Sequence, residues 1–120
     1  LTVSDAPDKA AVLTAAGAEV VVLAAEQGRV SLTAVLALLA ERELNNVLVE
    51  AGSVLNGSFL QQGLLDEVVV YQAAHVLGGD AFGMFALNEL EDMSQRPLLE
   101  LNGVRRVGAD LRLSYRVLPA

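Results

Sequence analysis

Glu50 closes the apolar run "NNVLVE", and Gly52, Ser53, Gly57 and Ser58 follow it within "AGSVLNGSF". A carboxylate at a strand end can hydrogen-bond a polar ligand, or it can stabilise the start of the next helix electrostatically. The glycines also admit two readings. A helix start leaves backbone N–H groups free at the positive end of its dipole, and bare backbone there lets a phosphate come close. Ser53 and Ser58 would add hydroxyl donors. Alternatively, Gly52 is an ordinary turn and Gly57 lets the helix pack tightly, at a cost of about 1 kcal/mol against alanine. In open parallel sheets, ligands sit at such a junction, beyond the carboxyl ends of the strands.

Two familiar phosphate motifs are ruled out. GxGxxG is absent, and GxxxxGK[ST] matches only in its glycines, because Ser58 stands where lysine is required and Phe59 follows. An ATPase reading therefore fails. His75 precedes the turn Gly78-Gly79-Asp80 and reads as structural or superficial. Arg105 and Arg106 could meet a phosphate, but they fit a solvated strand face better. With one histidine and no cysteine, the chain has no multi-histidine metal site, thiolate nucleophile or disulfide.

The elements that position these residues follow from periodicity. "LTVS" reads as the end of a strand. "DAPDKAAVLTAAG" reads as a helix, with Asp5 near its start, Pro7 in its first turn and Gly17 just past its end. "EVVVLAA" is a β-branched strand, "SLTAVLALLAERE" a helix capped by Ser31, "NNVLVE" a strand, "SVLNGSFLQQG" a helix and "DEVVVYQAA" a strand. This alternation predicts an α/β protein with a mainly parallel sheet and helices on both faces. Residues 81–97 predict a loop with a short helical piece. "LLELNGVRRV" and "LRLSYRV" predict a C-terminal antiparallel hairpin, its second strand alternating apolar and polar residues.

Composition narrows the function classes. The 120 residues make one domain at most, 53% hydrophobic, with eight basic against fifteen acidic residues and a net charge of −7. That balance disfavours nucleic acid and anionic membranes as partners. No apolar run approaches the roughly 20 residues of a membrane helix. No signal peptide is evident, and the lack of cysteine fits a cytoplasmic protein. Methionine occurs only at positions 84 and 93, and the chain begins inside a strand, which reads as a fragment.

"NNVLVEAGSVLNGSFLQQGLLDEVVVYQAAHVLGGDAFGMF", followed by "LLELNGVRRVGADLRLSYRV", resembles the reductase domain of the bacterial bifunctional riboflavin-biosynthesis deaminase/reductase, a dihydrofolate-reductase-like family. The stretch from Val49 to Leu65 is specific together with "VLGGDA" and "RRVGADLRL", which follow it in order. The resemblance implies a three-layer α/β/α fold with a mostly parallel mixed sheet and a C-terminal antiparallel hairpin. It implies NADPH-dependent reduction of the ribosyl group of 5-amino-6-(5-phosphoribosylamino)uracil to ribityl. It places Glu50 on the substrate, and Gly52, Ser53, Val54, Leu55, Asn56, Gly57 and Ser58 on NADPH. It assigns no catalytic residue and no metal.

Residues 1–120 would then be the C-terminal part of a single reductase domain, without the deaminase domain and the early reductase segment. Such a piece is expected to be poorly active alone. In the family the protein is a cytoplasmic homodimer joined through this domain. Ser53 departs from the usual Gly-Pro or Gly-Gly turn, and the deaminase H-x-E is absent. Two rival readings are a reductase of the same fold with another small substrate, and a non-catalytic module that pairs through the hairpin edge.

Overall fold

The computed structural model describes residues 1–4, 6–89 and 91–119. Asp5, expected near the first helix start, lies outside them. The chain forms two compact units, Leu1–Leu48 and Val49–Ala120.

In the first unit, helix α1 (Pro7–Ala15) has proline at its start, where the missing N–H costs nothing. It ends as expected around Gly17, whose N–H donates to the Thr14 carbonyl (2.9 Å) while Ala18 N–H reaches Leu13 (3.0 Å). These two bonds satisfy carbonyls that the helix end would leave open. The chain then returns beside Thr2 in parallel, with Thr2 N–H on the Val21 carbonyl (3.0 Å) and Leu23 N–H on the Thr2 carbonyl (2.8 Å). The strand expected over 19–25 is reduced to this one bridge, Thr2↔Val22. Ala25–Glu26 (β1) folds back on Arg29–Val30 (β2) as a small antiparallel hairpin. Its turn residues Gln27 and Gly28 both have positive φ (50° and 76°), as a type I′ turn demands. Helix α2 (Leu32–Glu41) starts at Ser31, whose Oγ accepts from Ala34 N–H at 3.4 Å, and buries Leu32.

The run "NNVLVE", expected as a strand, is in neither helix nor strand. A strand is a pairing, so β-branched composition alone does not make one without a neighbour's N–H and C=O groups in reach.

In the second unit, helix α3 (Ser53–Gln61) buries Gly57, Phe59 and Leu60. It leads through Gly63 (φ 65°) to β3 (Glu67–Gln72). A 3-10 turn at Met93–Gln95 falls within the loop region expected for 81–97, of which Leu90 lies outside the described residues. Strands β4 (Leu99–Val107) and β5 (Asp110–Val117) complete a sheet of order β3–β5–β4. Both of its ladders are antiparallel. The expected C-terminal hairpin is therefore present. The mainly parallel pairing is not: among the described residues, parallel contact is limited to the Thr2–Val22 bridge.

Glycine at 108, with φ 62°, opens the two-residue turn between Val107 and Asp110. A register shift between Leu101 and Gly103 marks a bulge at Asn102. Burial does not follow the simple alternation: Ser114 is buried, while Leu111 is 39% exposed. Ser114 lies between Val69 and Gly103 in the central strand, where neighbours on both sides cover it. No described helix is long and apolar enough to cross a membrane.

Candidate functional site

Helix α3 begins two residues after Glu50, at N-cap Gly52, whose backbone is extended (φ −77°, ψ 170°). The first helical bond to the cap runs from Asn56 N–H to the Gly52 carbonyl at 3.1 Å. The N–H groups of Ser53, Val54 and Leu55 precede that bond, and no side chain caps them. Gly52, Val54 and Leu55 are exposed, and a Cβ built on Gly52 would meet nothing within 4 Å. This turn has the chemistry of an anion cradle: several N–H donors, bare backbone and the positive end of a helix. Glu50 is exposed beside it and makes no ion pair among the described residues.

The second half of the predicted stretch is engaged elsewhere. The Asn56 side-chain Nδ2 donates to the Ala51 carbonyl (3.1 Å) and to the Met84 carbonyl (3.3 Å). Ala86 N–H donates to the Ser53 carbonyl (2.9 Å). A Cβ on Gly57 would lie 2.1 Å from the Ala86 carbonyl oxygen. The Ser58 hydroxyl donates to the Val54 carbonyl one turn back (2.9 Å). The seven residues from Gly52 to Ser58 thus divide into an open first turn and a following turn occupied by the chain's own backbone.

The weaker candidates lie on other segments of the second unit. His75 and the turn at Gly78-Gly79-Asp80 are exposed in the segment after β3. Arg105 lies opposite Arg112 across β4 and β5, and Arg106 Nε donates to the Gly108 carbonyl at 3.0 Å. Among the described residues no acidic and histidine side chains cluster to hold a metal.

The sequence reading overlooked a second strand-end junction, in the first unit. An open cleft of about 490 Å³ lies alongside α1, lined among others by Thr2, Ser4, Lys9, Leu13 and Glu19. Its signal was present in "LTVSDAP", a strand end followed by a helix start. Glu19 is already committed there. Arg42 Nη1 and Nη2 donate to its two carboxylate oxygens at 2.7 and 2.5 Å. That hydrogen bonding, with the arginine's charge second, holds the Glu19 carboxyl below its ordinary value.

Comparison with known proteins gives one consistent direction. The family model described as the RibD C-terminal domain matches residues 2–113. The riboflavin biosynthesis protein RibD of Escherichia coli (strain K12) is 38% identical over 87 residues, covering 72% of this chain and 24% of that protein. A 5-amino-6-(5-phosphoribosylamino)uracil reductase of Buchnera aphidicola subsp. Acyrthosiphon pisum is 32% identical over 85 residues, 71% of this chain and 41% of that one. Among solved structures, Acinetobacter baumannii RibD (form 2) superposes with a TM-score of 0.70 at 33% identity, over 82% of this chain and 27% of that one. The chain thus spans about a quarter of the length of the RibD proteins it matches. The likeness places the α/β architecture in the dihydrofolate-reductase-like class.

Proposed function

Because the chain belongs to the RibD C-terminal domain family, we propose that it is the C-terminal part of a reductase domain of riboflavin biosynthesis. It serves the NADPH-dependent reduction of 5-amino-6-(5-phosphoribosylamino)uracil, in which the ribosyl group becomes ribityl. The observation that carries this reading is the open first turn of α3, with the uncapped N–H groups of Ser53, Val54 and Leu55 beside bare Gly52. The name of the Buchnera relative supplies the substrate.

The residues fit the cofactor at one place. Gly52 and the N–H groups of Ser53 to Leu55 would receive a phosphate of NADPH, and the exposed side chains of Val54 and Leu55 offer apolar surface next to it. When bound, NADPH would supply a hydride from its nicotinamide C4 to C1′ of the ring-opened imine, in which the C1′–O4′ bond has broken and O4′ has taken a proton. The chain's own part is to hold the two reactants in register, which is where such an enzyme draws much of its rate. The Glu50 carboxylate, as an acceptor, takes hydrogen bonds from N–H or O–H groups of the pyrimidine substrate. Gly57 and Ser58 support the turn from behind rather than touching the cofactor, since one faces Ala86 and the other bonds Val54.

On the same reading the protein is cytoplasmic and works as a homodimer through this domain. Leu101 and Val104, more than half exposed in the same face of β4, are suited to such a contact. The test is direct. In the full-length protein, NADPH carrying deuterium at both C4 positions should transfer one deuterium to C1′ of the ribityl product. Turnover that leaves C1′ unlabelled would exclude the proposed reaction.

A further inference from the structure

The segment Met84–Ala86 is seated on α3 by three separate contacts, and one residue joins that seat to the proposed cofactor turn. Ala86 N–H meets the Ser53 carbonyl at 2.9 Å. The bare backbone of Gly57 lies under Ala86, so closely that a Cβ would come within 2.1 Å of its oxygen and 2.9 Å of its carbonyl carbon. Asn56 divides its amide between Met84 O (3.3 Å) and Ala51 O (3.1 Å). We propose that Asn56 is a positioning residue: its single amide group ties the turn at Ala51–Gly52 to the segment 84–86, and so fixes the direction of the N–H donors that follow. The ligand in this proposal rests on the NADPH reading above; the clasp itself does not.

The chemistry of the side chain supports the assignment. A primary amide carries two N–H donors, and both are directed at carbonyl oxygens. Asparagine is a poor helix former, because its amide competes for backbone groups. Here that tendency is turned to a tertiary use, across 28 positions of sequence to Met84. Little else anchors this stretch of chain. Val76, Leu77 and Phe82 are 98%, 82% and 99% exposed, and only Phe85 is partly covered. Asn56→Asp is the sharpest probe, since it keeps the shape but sets a negative charge against two carbonyl oxygens.

Amide hydrogen exchange and an NADPH titration, run on the protein and on Asn56→Asp, decide the matter. The expected result is that the backbone amides of Ala86 and of position 56, bonded to the Ser53 and Gly52 carbonyls, exchange about tenfold faster or more in the variant, the scale of one lost net hydrogen bond. The β4–β5 ladder should keep its protection. NADPH affinity should fall about tenfold with it, as a rise in KM at nearly unchanged kcat, which a purely structural defect at equal folded fraction would not produce. Unchanged protection of Ala86 would overturn the clasp, even if NADPH affinity were lost, because Asn56 would then be touching the cofactor directly. Released Ala86 with unchanged affinity and unchanged exchange of the position-56 backbone amide would overturn the positioning role. If the unaltered protein failed to bind NADPH, the functional reading would fall, and the exchange of Ala86 and of the position-56 backbone amide would still decide whether Asn56 holds the turn.

Discussion

Gly57 and Ala86 touch backbone to backbone: a Cβ at position 57 would sit 2.1 Å from the Ala86 carbonyl oxygen. That atom belongs to the main chain, so it cannot rotate aside as a side chain would. Gly57→Ala should therefore destabilise the protein by roughly 1–3 kcal/mol, the usual cost of overpacking. The gain in helix propensity, about 1 kcal/mol, does not offset it. Denaturant unfolding of the variant checks this, and equal or higher stability would show that the segment at Ala86 moves freely.

Gly52 should behave in the opposite way. Its backbone angles suit any residue, and nothing lies within 4 Å of a Cβ there. Gly52→Ala should cost less than about 1 kcal/mol of stability, since alanine is only a poorer N-cap. NADPH affinity should drop about tenfold or more, as hydrogen bonds to a charged phosphate are weakened. Comparing melting temperature and NADPH affinity for the two glycine variants separates packing from cofactor approach.

This contrast marks where the sequence was legible. Helix positions were readable because Pro7, Gly17, Ser31 and Gly63 are local signals, and each stands at a helix end in the structure. The C-terminal hairpin was readable from its two-residue period and its glycine turn. Strand pairing was not. "EVVVLAA" and "NNVLVE" have strand composition, but a ladder depends on a neighbour that composition does not specify. The hairpin at Ala25–Val30 was missed because Gln27-Gly28 is a weaker turn signal than Asn-Gly. In the site, the spacing of the two glycines could not distinguish an open turn from a covered one. Only the position of Ala86, 29 residues on from Gly57, does so.

Glu50→Gln tests the substrate contact. The side chain is exposed and without an ion pair among the described residues, so the fold should tolerate the change. In the full-length protein, kcat/KM for the pyrimidine substrate should fall by about tenfold or more, the loss of a charged hydrogen bond of roughly 1.5–3 kcal/mol. NADPH affinity should stay the same. An unchanged kcat/KM would leave Glu50 with an electrostatic role at the helix start alone.

The Arg42–Glu19 pair sets an acid-side prediction. Hydrogen bonding from Arg42, then its charge, lowers the Glu19 carboxyl from its ordinary value of 4.5 in the folded state. The unfolded chain therefore binds this proton more readily. The stabilisation is complete above about pH 4.5 and is lost as pH falls through the lowered value. Asp92, held down by the Ser94 N–H at 2.6 Å, acts in the same sense. Both groups are exposed, so the effect is small and weakens with added salt. Acid unfolding of Glu19→Gln should show a shallower decline below pH 4.5 than the unaltered protein; an identical curve would show that the pair contributes nothing.

The central claim, that the turn after Glu50 receives NADPH, is tested most directly by following backbone amide resonances during an NADPH titration. The amides of Gly52, Ser53, Val54 and Leu55 should shift together and saturate with a single dissociation constant, while those of the β4–β5 turn at Gly108 and Ala109 stay in place. Saturable binding that left these four amides unmoved, or no saturable binding at all, would contradict the account.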